Sequence, residues 1–188
     1  MAAMKITRKI QIETAEVRAG DQIQVGKYTA TCQAVPDAGH ALFLLDQYLD
    51  KPMAYNRNGK NAGGYQKSDV RRELNAPEIL EIFAALPLVP HENGDLLRLP
   101  FYSEMFGHDE WYNSGTVEAD NSEQWPQMAE RRNRVAYRER EKFEWGWLQN
   151  TWVRTDALVC GVDARGNEDG WVASAVLGVR PVFLVKLS

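Results

Sequence analysis

Gln22-Ile23-Gln24-Val25-Gly26-Lys27-Tyr28-Thr29-Ala30-Thr31-Cys32-Gln33-Ala34-Val35-Pro36-Asp37-Ala38-Gly39-His40-Ala41-Leu42-Phe43-Leu44-Leu45 is the stretch whose reading decides the fold. Gln22 to Val25 alternate polar and apolar, as a short strand does. Gly26 punctuates, and Tyr28 to Val35 continue in extended style. Pro36-Asp37-Ala38-Gly39 is turn chemistry: the proline presets φ and the glycine accepts a left-handed position. Ala41 to Leu45 then form an unbroken apolar run, which predicts a buried central strand. Residues 22–45 therefore predict a strand, hairpin, strand unit. Upstream, Ala19-Gly20-Asp21 is a turn, and Ile6, Ile10 and Ile12 sit at the even spacing of one strand face.

Working outward, the middle of the chain turns helical. Ser68 can cap a short helix whose Val70 and Leu74 share a face. Pro77 fits the first turn of the next helix, where its missing N–H costs nothing. Ile79, Leu80, Phe83 and Leu86 make its apolar stripe, and Pro87 ends it. Leu96, Leu97 and Leu99 suggest a strand, and Phe101 to Phe106 a short helix stopping at Gly107. The last 44 residues return to strands: Trp145-Gly146-Trp147-Leu148, Ala157 to Val162, Trp171-Val172 and Val179 to Val185. A polar, glycine-bounded turn spans Asp163 to Gly170.

The chain has 188 residues, a net charge of −4, 44% hydrophobic and 26% charged residues. A domain of this size buries about 70% of its unfolded surface and needs no metal or disulfide to hold a core. No apolar run approaches the ~20 residues of a membrane span. The N-terminus carries no signal-peptide core, so a cytoplasmic location in a bacterial host is the expectation. Cys32 and Cys160 stand alone in apolar contexts and read as two buried free thiols. Residues 1–188 read as one domain. The anomaly is tryptophan: five of the six fall at or after residue 125.

Residues 108–143 break character. Asp109, Glu110, Glu118, Asp120 and Glu123 are five acids in a stretch to Gln124 without Lys or Arg. Glu130 to Lys142 then carry six basic and three acidic residues. One reading is a solvated loop followed by an amphipathic helix with internal ion pairs. The other is a charged, aromatic insertion or recognition loop, using Trp111, Tyr112, Trp125, Arg131, Arg132 and Arg134, with Trp152 as a further contact. Aromatic residues and Arg are the types that dominate interface energetics.

Catalytic motifs are thin. His40, His91 and His108 are not at metal-ligand spacing, and no phosphate-binding or nucleophile-elbow motif appears. Asn58 to Gly64 is glycine-rich but lacks the flanking strand and long helix of a phosphate cradle. Neither an enzyme, a cofactor nor a metal is expected.

Four landmarks in order resemble a known family. Ala19-Gly20-Asp21-Gln22-Ile23-Gln24-Val25-Gly26-Lys27-Tyr28 is similar to the opening G-D-x-I-x-[FV]-G-x-Y of a bacterial and phage family catalogued as a domain of unknown function (number six-two-seven-three). Ser68-Asp69-Val70-Arg71-Arg72-Glu73-Leu74-Asn75 resembles its S-x-[LV]-R-x-[WE]-L-N helix, with Phe83 at a following aromatic. Trp145-Gly146-Trp147-Leu148 is similar to its W-W-L-R box, with Gln149 in place of Arg. Gly178-Val179-Arg180-Pro181-Val182 matches its G-V-R-P-[AV] ending, preceded by a V-x-x-x-G turn at Val162 to Gly166. The layout also resembles the C-type-lectin-like fold of formylglycine-generating-enzyme-type domains and phage receptor-binding proteins.

What the resemblance implies is an α+β fold, a twisted antiparallel sheet with a few short helices, C-type-lectin-like. It places Trp145, Trp147 and Trp171 in the core and has Arg180 cap carbonyls or pair with a carboxylate across it. The cysteine pair of a formylglycine-generating enzyme is missing, so an enzyme reading rests on analogy alone. The function expected is a non-enzymatic binding module for a macromolecular partner, most of all a protein. One specific form is a phage-encoded inhibitor of a host defence nuclease, of anti-CRISPR type, whose acidic loop competes for a basic nucleic-acid channel. The alternative is carbohydrate or small-ligand binding by stacking on Trp111, Trp125 or Trp152, with Asp163, Asn167, Glu168 and Asp169 as oxygen donors for calcium. Direct nucleic-acid contact through Arg131, Arg132, Arg134, Arg138 and Arg140 is diluted by Glu130, Glu139 and Glu141.

Overall fold

Gln22–Val25 (β1), Tyr28–Asp37 (β2) and His40–Leu45 (β3) form an antiparallel meander. The structure is a computed structural model that describes residues 17–139 and 142–187; the strand expected at Ile6, Ile10 and Ile12 lies outside them, as does Arg140. Val25 pairs with Tyr28 across a two-residue turn, and Gly26 there has φ 58°, a conformation open to glycine without a Cβ clash. The second turn is built differently from the expectation. Gly39 takes no positive φ; the Asp37 carboxylate instead accepts the Gly39 N–H at 2.7 Å and pairs with His40 Nδ1 at 2.9 Å.

Met53–Ala54 (β4) leads through a 3-10 turn at Tyr65–Lys67 to the helix Asp69–Leu74 (α1). Ser68 Oγ accepts the Arg71 N–H at 3.1 Å, the cap expected. Pro77 opens Pro77–Leu80 (α2), which tightens into a 3-10 turn at Glu81–Phe83. Leu88–Val89 (β5) and Leu97–Arg98 (β6) follow, then Tyr102–Phe106 (α3), closed by Gly107 at φ 72°. Beyond lie Glu110–Asn113 (α4), a 3-10 turn at Pro126–Ala129 and Arg131–Arg134 (α5). Ala136–Tyr137 (β7) and Phe143–Glu144 (β8) pair as a short ladder. Gly146–Thr151 (β9), Leu158–Val162 (β10), Glu168–Val172 (β11), Val176–Leu177 (β12) and Val182–Lys186 (β13) complete the described chain.

The fold is mixed α+β, with mostly antiparallel strands and a curled half-barrel sheet. The main sheet runs β1-β2-β3-β13-β5, with β6 also on β13. A second sheet runs β11-β10-β9, and β12 pairs with β4. Both faces of β3 are covered. Phe43 and Leu45 enter one core; Leu44 enters another with Val182, Leu148 and Cys160. That is why Ala41 to Leu45 is an unbroken apolar run: a strand with one wet face would alternate. In the first core the Phe183 ring stacks on Phe43 at 5.8 Å and meets Phe83 edge-on at 5.1 Å. Trp147 is buried beside them and donates its Nε1–H to the Met53 carbonyl at 2.9 Å. Cys32 and Cys160 are buried and free, as expected; burial pushes the Cys32 thiol up to about 11.

Two of the resemblance landmarks meet at one ring. A Cβ on Gly146 would fall 2.4 Å from Tyr48, and one on Gly178 would fall 2.5 Å from it. Both glycines are small because the buried tyrosine lies against their backbones, which also bridge each other. Arg180 behaves as the sequence implied, capping carbonyls. Its Nε–H goes to Leu45 O at 2.5 Å and its Nη1 to Asn133 O and Arg134 O at 3.0 and 3.4 Å. The amphipathic helix of the first reading shrinks to the four residues of α5: Val135 turns extended, and Ala136 and Tyr137 pair with Glu144 and Phe143. Among the described residues no helix is long and apolar enough to cross a membrane.

Candidate functional site

The segment from His108 to Arg134 packs along α3 and β9 by side-chain staples. Asp109 caps α4 by accepting the Tyr112 N–H at 3.0 Å, and its other oxygen accepts the Tyr102 hydroxyl at 2.6 Å. Asp120 accepts from the Ser103 hydroxyl, from Ser122 N at 2.9 Å and from Asn150 Nδ2 at 2.8 Å. Gln124 Nε2 donates to the Met105 carbonyl at 3.0 Å. Val117 bridges to Trp152, which ties the segment to the end of β9. The five carboxylates from Asp109 to Glu123 have no ion-pair partner among the described residues. Glu110, Glu118 and Glu123 are exposed, so their charge faces water.

The sequence-predicted contact residues separate into three groups. Trp111, Tyr112 and Trp152 come together, half-buried over the second core. Trp111 meets Trp152 edge-on at 5.1 Å, and Tyr112 stacks on His108 at 4.3 Å. Arg131 and Arg132 are exposed on α5, the Arg132 side chain at 82%, and no cation–π or hydrogen-bond contact links them to the aromatic trio. The third group is structural. Trp125, expected as a recognition residue, is only 5% exposed. Its ring fills the second core beside Met105 and Met128, a position where it has no face to offer a partner. Arg134 lies over the Phe106 ring at 5.0 Å and donates its Nε–H to Met128 O at 2.7 Å. Burial lowers its pKa; it braces α5 rather than projecting.

A groove of about 660 Å³ runs beside Trp152, past Gly63, Gly64, Glu118, Thr151 and Arg154. Trp152 rests against Gly170, where a Cβ would come within 2.5 Å of the indole nitrogen, and that buried N–H has no partner. Asn61 to Gly64, the end of the glycine-rich stretch, form one wall of the groove. Two of the expected calcium donors do other work: Asp163 Oδ1 accepts the N–H groups of Arg165 and Asn167, both at 2.8 Å, and Asp169 Oδ1 accepts the Gly170 N–H at 2.7 Å. Among the described residues no group of three His, Cys, Asp or Glu side chains is placed to hold a metal ion.

One surface was missed in the sequence. Trp145 and Trp171, expected in the core, form a ring pair at 5.4 Å in which Trp145 is 48% exposed. Phe143, two residues earlier and 51% exposed, packs edge-on against Tyr137 at 6.2 Å. Two aromatic pairs thus reach the surface, Tyr137 with Phe143 across β7 and β8, and Trp145 with Trp171 of β11. Trp145 is outside because Gly146 and Trp147 take the places against Tyr48 and Tyr55. The Phe143-Glu144-Trp145 alternation was the available signal. No protein-family model and no curated protein sequence matches the chain.

Proposed function

We propose that the chain is a non-enzymatic binding module for a protein partner, acting in the cytoplasm of a bacterial host. The observation that carries this reading is the run of carboxylates from Asp109 to Glu123, without ion-pair partners among the described residues and held on a stapled segment beside Trp111 and Tyr112. Uncompensated acid on a rigid surface attracts a basic partner and speeds its encounter. The family landmarks at residues 19–28, 68–75, 145–148 and 178–182 favour membership of the phage-associated family and a C-type-lectin-like scaffold. On that basis the specific form is an inhibitor of a host defence nuclease, of anti-CRISPR type, in which the acidic segment occupies the channel that binds nucleic acid.

The test is competition. Guide-loaded defence nucleases of the Cas9 type are mixed with labelled target DNA and increasing amounts of the chain. Displacement of DNA that weakens with salt and disappears in the triple variant Glu110→Lys, Glu118→Lys, Glu123→Lys supports the proposal. Undiminished cleavage by every nuclease, together with no protein retained from host lysate, overturns it. The groove at Trp152 favours a second reading, carbohydrate binding, because an indole lines it. Glycan-array binding that is lost in Trp152→Ala would favour it over the first.

A further inference from the structure

Ala30 and Cys32 point into the first core, so Thr31 and Gln33 of β2 face the other way. Residues 127–135 cross that face, and a half-open cavity of about 370 Å³ lies between. Its charged lining is two arginines, Arg132 and Arg180, against one carboxylate, Asp46. Arg180 is 6% exposed, yet it makes no ion pair among the described residues. Its Nε–H and Nη1 are spent on the carbonyls of Leu45, Asn133 and Arg134, and its Nη2 has no partner among the described residues. That nitrogen is not sealed from solvent, unlike the amide oxygens of Gln33 and Gln127. Asp46 acts on Arg180 only from beyond ion-pair distance. Both Asp46 oxygens are engaged already, by Thr31 Oγ1 at 2.7 Å and by Gln22 Nε2 at 3.1 Å. At the rim, the Arg132 side chain is 82% exposed, with Glu130 at 4.0 Å as its one ion-pair contact among the described residues.

We propose that this cavity binds the phosphate group of a small phosphate monoester, held between the guanidinium groups of Arg180 and Arg132. A buried cation without a counter-ion is costly, and burial holds the Arg180 pKa below the ordinary guanidinium value. An oxyanion supplies the missing charge, and the planar N–H fork of Arg is matched to phosphate and carboxylate oxygens. The number of donors favours phosphate. Arg180 Nη2, Arg132 and Gln127 Nε2, which also borders the cavity and donates to no described residue, offer one group for each free oxygen of a monoester. A carboxylate has only two oxygens to offer them. A nucleic-acid backbone fits less well, because a phosphodiester also keeps only two free oxygens and the chain's net charge of −4 repels a polyanion. The volume is at the lower end of ligand pockets, which suits a body of a few atoms beside the phosphate. The site uses none of the carboxylates from Asp109 to Glu123 and is independent of the proposed protein partner.

Isothermal calorimetry near neutral pH with inorganic phosphate tests this, with acetate as the planar control. Phosphate is expected to bind with a millimolar or lower Kd and acetate at least about tenfold more weakly. Arg132→Gln is expected to weaken phosphate binding by about tenfold. Asp46→Asn removes the one opposing charge and is expected to strengthen it several-fold, a gain that a merely structural aspartate would not give. Arg132 is exposed and its variant keeps the fold, so it decides the matter if Asp46→Asn fails to fold. Glycerol phosphate is expected to bind at least as tightly as phosphate, and a short single-stranded oligonucleotide not to displace it. No heat with phosphate at about 10 mM, equal binding of acetate, wild-type affinity in Arg132→Gln, weaker binding in folded Asp46→Asn, or displacement by the oligonucleotide overturns the proposal.

Discussion

The main sheet and the segment from His108 to Arg134 are ordered by different means. In the sheet, β1, β2, β3 and β13 are held by backbone ladders, and the side chains only choose which face is dry. In the segment, two one-turn helices and a 3-10 turn supply few ladder bonds. Side chains that reach backbone groups replace them: Asp109, Asp120, Gln124, Asn133 and Arg134. The difference teaches that charge and aromatic content do not by themselves mark a recognition loop. Part of this one is the roof of a core.

The contrast breaks most sharply at the join between the two regions. Arg98 of β6 grips Glu104 of α3 at 2.8 and 2.5 Å, both side chains buried. Arg98→Met leaves the carboxylate without its counter-charge and should cost about 3–5 kcal/mol in urea unfolding. Tryptophan truncation sharpens the same point. Trp125→Ala should cost about 3–5 kcal/mol, whereas Trp145→Ala, half in solvent, should cost less than about 1 kcal/mol. Equal losses would erase the division between roof and surface. Removing one staple is milder: Asp120→Ala should cost about 1–3 kcal/mol, from donors left unpaired.

Acid supplies a lever on the sheet side. Burial, with the charge of Arg98 second, lowers the His91 imidazole from 6.5 to about 4. The unfolded chain takes up this proton near its ordinary pKa and the folded chain only near 4. His91 therefore withdraws stability as pH falls through that window, by at most about 1.4 kcal/mol per pH unit. The His91→Phe variant should show a correspondingly flatter profile between pH 6.5 and about 4. The smallest effect belongs to the exposed acids. Glu110→Lys, Glu118→Lys and Glu123→Lys should each change stability by no more than about 0.5 kcal/mol. A large loss would make them structural too.

What was legible in the sequence follows the same division. The meander, the Ser68 cap, Pro77, the helix ending at Gly107 and the strand after Arg180 were legible because each obeys a local rule: period, cap or turn. Trp125 was not, because nothing within a few residues of it says that α3 and β10 wait on its other side. The Trp125-Pro126 entry to a 3-10 turn, with Met128 also buried, is a weak local trace. Trp145 and Trp147 sit two apart, as one strand face would, yet only Trp147 enters the core.

The pairing of β3 with β13 carries a consequence for the order of assembly. Leu44 meets Val182 and Phe43 meets Phe183 across most of the chain, so the loop to be closed is long and folding correspondingly slow. The β1–β2–β3 meander can form early from neighbouring residues. Until β13 arrives, its free edge is a strand greasy on both faces, the kind of edge that other chains can add to. Refolding yield should fall steeply as chain concentration rises, and the late strand is the molecule's own protection against aggregation.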